Sequence, residues 1–182
     1  MNKSFLGLAI STLFMVGAAH ADVNPNDVSA TLSVSGSVTH EFSCSVKLGS
    51  SVVTLQGDID KLPTPSQTAR NGIQTVEISL AGDEECTTMA GQGKIAYSFL
   101  GAADNATGTT LANTNVGTDG AKGVGIALYS ATGAPLVINQ DTMIAAAAPA
   151  VNHLGLDLVK LDGQEATAGA VQGALTIQIN RL

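Results

Sequence analysis

Residues 28–38 read VSATLSVSGSV, and the alternation within them is unbroken. Val28, Ala30, Leu32, Val34, Gly36 and Val38 fall on one side; Ser29, Thr31, Ser33, Ser35 and Ser37 fall on the other. Successive side chains of an extended chain point to opposite faces. A period of two in a β-branched and hydroxyl-rich run therefore predicts a strand with one apolar face. Two placements satisfy that face. The run is either the first strand of a sandwich closed within this chain, or an arm whose apolar side another molecule covers.

The rest of the chain repeats the pattern in short pieces. Residues 53–55 (VTL), 75–80 (TVEISL), 94–100 (KIAYSFL), 124–129 (VGIALY), 135–138 (PLVI), 154–160 (LGLDLVK) and 174–182 (ALTIQINRL) read as strands, with a short one near Thr110 and Leu111. Ala131-Thr132-Gly133 between two of them is a hairpin signal. Residues 141–148 are the one helix-like patch, limited by Pro149, and residues 81–85 read as a polar surface loop before Cys86. Seven to nine short strands at regular spacing with little helix predict an all-β sandwich.

The first 21 residues stand apart from that pattern. Lys3, an apolar run over residues 5–17 and Ala19-His20-Ala21 fit a cleaved secretory signal peptide, which would start the mature chain at Asp22. Of 182 residues 161 then remain, enough for one domain with a core of its own. No later stretch is long and apolar enough to span a bilayer as a helix. Lys3 leaves with the leader, so 7 basic residues face 15 acidic ones, a balance of −8. Phosphate recognition needs basic surface, so nucleic acid is excluded as a partner.

Cys44 and Cys86 are the only cysteines. An even pair in an exported chain is read as one structural disulfide, since neither C-x-x-C spacing nor a set of histidines offers a metal or redox alternative. His40 and His153 are the only histidines of the mature chain, too few for the histidine cluster of a copper–zinc superoxide dismutase. No Gly-x-Ser-x-Gly, HExxH or phosphate-cradling loop occurs. Asp83-Glu84-Glu85 reads as a solvated loop and Asn105-Ala106-Thr107 as a chance sequon. The chain is expected to be no enzyme, with no catalytic residue, cofactor or metal.

In this order the pieces resemble the pilin subunits of Gram-negative chaperone–usher fimbriae, of the type 1-like major kind. Residues 34–38 (VSGSV) before Cys44, 53–57 (VTLQG), 76–80 (VEISL) before Cys86, Phe99-Leu100-Gly101, residues 124–128 with Thr132-Gly133, and Gly169 ahead of the last strand are similar to that family's pattern. The match covers nearly all of the mature chain. Two departures stand out: Arg181 holds the place of the usual tyrosine, and five residues separate Leu80 from Cys86. In phase with Ile177 and Ile179, Arg181 is expected to lay its stem on the strand's inner side and leave its head in water.

The resemblance implies an incomplete immunoglobulin-like sandwich that a neighbour's donor strand completes. Residues 22–35 would form the donor extension and residues 36–182 the pilin domain, with residues 36–46 entering its own sheet. Val28, Ala30, Leu32, Val34 and Val38 would fill pockets, and Gly36 would pass where no side chain has room. Leu175, Ile177, Ile179 and Arg181 would flank the acceptor groove and meet the periplasmic chaperone. The implied partners are neighbouring copies or related pilins, the chaperone, the outer-membrane usher and a possible host-cell receptor, and the destination is a fimbria on the cell surface that supports adhesion. The alternative is a minor or shaft subunit that itself binds a host receptor or glycan, through loops 104–119 and 140–152.

Overall fold

The structure is a computed structural model that describes residues 26, 28, 30–38, 41–70 and 73–182. The expected leader, the start at Asp22 and His40 lie outside the described residues. The chain divides into two units, Met1–Thr39 and His40–Leu182.

Among its described residues the second unit holds nine strands, one α-helix and a 3-10 turn at Ile59–Lys61. The strands and the α-helix are β1 (Cys44–Leu48), β2 (Gln74–Gly82), α1 (Glu84–Gly91), β3 (Ile95–Gly101), β4 (Leu111–Ala112), β5 (Val124–Tyr129), β6 (Pro135–Leu136), β7 (Thr142–Ile144), β8 (Asn152–Lys160) and β9 (Leu175–Arg181). One sheet runs β1-β2-β8-β5-β4 with β6 also on β5; the other runs β7-β3-β9. Every strand ladder is antiparallel.

Alternation decides which side chains make the core. Val76, Ile78 and Leu80 of β2, Ile126 and Leu128 of β5, and Leu154, Leu156 and Leu158 of β8 face Ile95, Tyr97 and Phe99 of β3, all buried. Two inner faces of period-two strands meeting in this way make a sandwich. The outer side of the larger sheet is covered as well. Ala127, Tyr129 and Val159 lie under Ala69 and Ile73, and Arg70 clamps that covering segment by a bidentate bond to Asp157, at 2.6 and 2.8 Å. This explains why every residue of β5 is buried.

The hairpin at Ala131-Thr132-Gly133 forms as expected. The Ser130 N–H donates to Ala134 and the Gly133 N–H to Ser130, and Gly133 takes φ +80°, a conformation open to glycine without a Cβ penalty.

Four local expectations are corrected. Residues 81–85 do not form an open loop, because β2 extends to Gly82 and α1 starts at Glu84. The Asp83 carboxylate caps that helix by accepting from the Cys86 N–H at 2.9 Å, and two glutamates occupy its first turn. Residues 141–148 contain no helix: Thr142–Ile144 pair with β3, so sheet pairing overrides the helix preference of the alanines. Residues 53–55 belong to no strand, and of the described residues within 36–46 only those from Cys44 onward join a sheet.

Candidate functional site

The last strand carries the feature that sets this sandwich apart. β9 pairs along all seven residues with β3, from Leu175 opposite Gly101 to Arg181 opposite Ile95. Its other edge has no ladder among the described residues. A row of main-chain donors and acceptors is therefore left available at an edge, normally a hazard that proteins cover.

Beside that edge runs a groove. Leu175 and Ile177 form one wall; Ser50, Ser51, Val53 and Leu55 form the other. Between the walls the core itself is the floor, through Val76, Leu111, Ile126, Leu154 and Leu156. This part holds 340 Å³ and continues past Gly173 and Ala174 into a wider mouth of 820 Å³ between Gln56-Gly57 and Thr114. Leu175, Ile177 and Ile179 are half-buried while Thr176 and Gln178 are exposed, so β9 turns its apolar row inward, and Leu175 and Ile177 line the groove. Residues 50–57, without a ladder, leave the opposite wall equally open.

At the Arg181 end the groove is closed by the chain itself. The Arg181 guanidinium lies 4.1 Å from the centroid of the Phe42 ring and donates to the Phe42 carbonyl. A planar cation on an aromatic face is attracted by the ring quadrupole. The head of Arg181 thus stacks on Phe42 while the residue stays exposed. Nearby, Cys44 and Cys86 are joined by a disulfide with a Cα–Cα distance of 5.6 Å, tying β1 to α1. Gly82 lies in the crook of that bond, where a Cβ would come within 2.2 Å of the Ser43 carbonyl oxygen and 2.8 Å of the Cys86 Cβ.

The expected donor residues lie in the first unit. Residues 30–38 carry no strand assignment, and the apolar members of the alternating row are open to solvent: Val28 is 95%, Leu32 85%, Val34 85% and Val38 fully exposed. Gly36 has no atom within 4 Å of the position a Cβ would take. The sequence reading missed the groove's far wall and floor. The available signal was the alternation of residues 53–55, which reads as a strand but has no ladder in the structure.

The long loops offer a second concavity of 530 Å³. Its polar groups are already engaged. Asp104 accepts from the N–H groups of Ala106, Thr107, Gly108 and Thr110 and from the Thr110 hydroxyl. Burial pushes its carboxyl up, and those N–H donors outweigh it and hold it below the usual value. Asn113 spends its side chain on the carbonyls of Ala121 and Ala170 and on the N–H groups of Asn115 and Gln172. These groups build the loops. Among the described residues no cluster of His, Cys, Asp or Glu is placed to hold a metal ion, and no helix is long and apolar enough to cross a membrane.

The fold is an all-β sandwich whose last strand has, among the described residues, one edge without a ladder beside an apolar groove. The family model "Fimbrial protein" matches residues 32–180, and the chain belongs to that family. Among solved structures, the P pilus rod subunit PapA is similar at a TM-score of 0.53 and 17% identity, over 85% of this chain and all of that one. An antigen and type I fimbria protein of Burkholderia pseudomallei aligns at a TM-score of 0.41 and 17% identity, over 75% of this chain and 94% of its own. No curated protein matches the chain.

Proposed function

We propose that this chain is a structural fimbrial subunit that polymerises head to tail by donating a strand. Residues 22–35 are the donor extension and residues 36–182 the receiving domain. One observation carries the reading: the protein has both an apolar groove missing a strand and an exposed run with the alternation to fill it. In strand addition the main-chain bonds supply affinity and alternate side chains entering pockets supply register. Val28, Ala30, Leu32, Val34 and Val38 are the pocket-filling row, and Gly36 passes where the walls leave no space. Leu175, Ile177, Ile179 and Arg181 flank the site that receives it.

Burying such side chains gives roughly 1.5–3 kcal/mol each, against roughly 1–2 kcal/mol of backbone entropy for every residue ordered. Over five side chains and the run 28–38 the two are of similar size, so side-chain burial alone does not hold the donor and fibre durability is kinetic: a donor leaves only if the receiving sandwich opens. Before assembly the open edge needs a temporary cover, which is the role of a periplasmic chaperone, with an outer-membrane usher taking the subunit on. Two unlike surfaces, extension and groove, join in an open series and give a filament that supports adhesion.

Deletion of residues 22–35 tests this directly. The shortened chain should enter only at the growing end that needs no donor and stop further growth, so mixing it with intact chain shortens fibres in proportion. Fibres of undiminished length built from the shortened chain alone would refute it.

A further inference from the structure

The large hydrophobic side chains exposed among the described residues sort into three groups. Val28, Leu32, Val34 and Val38 belong to the extension, and Leu48 and Val52 to the groove's rim. Val116, Ile144, Val151 and Leu182, at 95, 50, 38 and 64% exposure, are explained by neither.

Strand register places these four at opposite ends of the sandwich. Ile95 pairs with Arg181, and Ala96 with Ile144. Leu182 donates to the Lys94 carbonyl, and Asn152, next to Val151, donates to the Ile144 carbonyl. Ile144, Val151 and Leu182 therefore share one end, the base. Gly101 and Leu175 mark the other end, the top. Thr114 bonds to Gln172 there, just ahead of β9, and Val116 projects from the same loop.

The chain enters the domain at the base, through Phe42 under Arg181 and Cys44 opposite Gly82. An extension lying parallel to β9 of a second copy would bring its own body to that copy's base, where the second copy's residues 42–44 already enter. An antiparallel one, matching every ladder in both sheets, brings it to the top and leaves the base clear. Only residues 39–41 separate Val38 from Phe42. Fully extended, those four steps reach about 14 Å, which is the most that can separate the two bodies at this joint.

We infer that successive copies also dock body to body, the Val116 loop at the top of one seated on the apolar base of the next around Ile144, Val151 and Leu182. The inference rests on the donor-strand reading and adds a second interface of defined residues. Apolar groups left exposed at both ends of a body are the groups such a junction removes from water.

A benzophenone amino acid at position 116, photoactivated in assembled fibres, tests the contact. Cross-links between copies should map to peptides containing Ile144, Val151 or Leu182 and vanish when fibres are dissociated before irradiation. Val116→Asp should shorten fibres several-fold while leaving unchanged the unfolding midpoint of a subunit completed by donor peptide. Cross-links mapping to other surfaces, or fibres of full length from Val116→Asp, would overturn the docking while leaving strand donation intact. Failure of the unmodified chain to form fibres would remove both.

Discussion

Tyr97 stands in the middle of the core with its ring fully buried and its hydroxyl without a hydrogen-bond partner. Burial pushes its pKa up from 10.0 to about 12. A pKa raised on folding means stability that is fully present below the unfolded value and lost as pH climbs through the folded one. The protein should therefore lose stability between about pH 10 and 12, with Tyr129 adding in the same direction. Tyr97→Phe removes a hydroxyl that gains nothing from its site, and should leave stability unchanged or raise it by about 1 kcal/mol. It should also shift the alkaline limb of a thermal-midpoint profile upward; a loss of several kcal/mol would mean that the hydroxyl is engaged. Neither tyrosine's isolation was legible in the sequence, which marks strand phase and not what lies opposite a ring tip. The Arg70–Asp157 pair was equally hidden, its partners being 87 positions apart on segments that only the closed sheet brings together.

At the scale of elements, the strands of strict alternation were legible. β2, β3, β5, β8 and β9 stand within a few residues of the runs that predicted them, because one buried face forces period two. The misread elements are those in which local preference and tertiary pairing disagree. β7 grows out of an alanine-rich run because β3 has an edge to fill. The start of α1 was legible after all: Asp83 followed by Glu84 and Glu85 is a capped and acidic first turn, the pattern of a helix N-terminus and not of a loop. That helix holds Cys86, so the disulfide joins two elements that do not pair as strands. Replacing both cysteines with serine releases a loop closed across a sequence separation of 42 and should cost roughly 4 kcal/mol on the chain-entropy account. A denaturant midpoint of the peptide-completed subunit measures it. A loss below about 1 kcal/mol would place the stability of this end in the α1 packing instead.

For the whole molecule, the proposed strand donation joins two features, the alternating run of residues 28–38 and the groove beside β9. The first was readable because an apolar row with no partner in phase is a local property. The second was not legible in any one stretch, since its walls and floor come from segments far apart in the sequence. Its floor comes from β2, β4, β5 and β8, and its open wall from residues that alternate without a ladder. The central claim is that the domain is thermodynamically unfinished until an outside strand enters. The most direct measurement is thermal unfolding of the protein lacking residues 22–35, alone and with a peptide of residues 22–38. The account predicts a low midpoint alone, a large rise with the peptide, and loss of most of that rise when the peptide carries Leu32→Asp. A shortened protein that is stable alone and indifferent to the peptide would mean the sandwich is already closed, and would contradict the account.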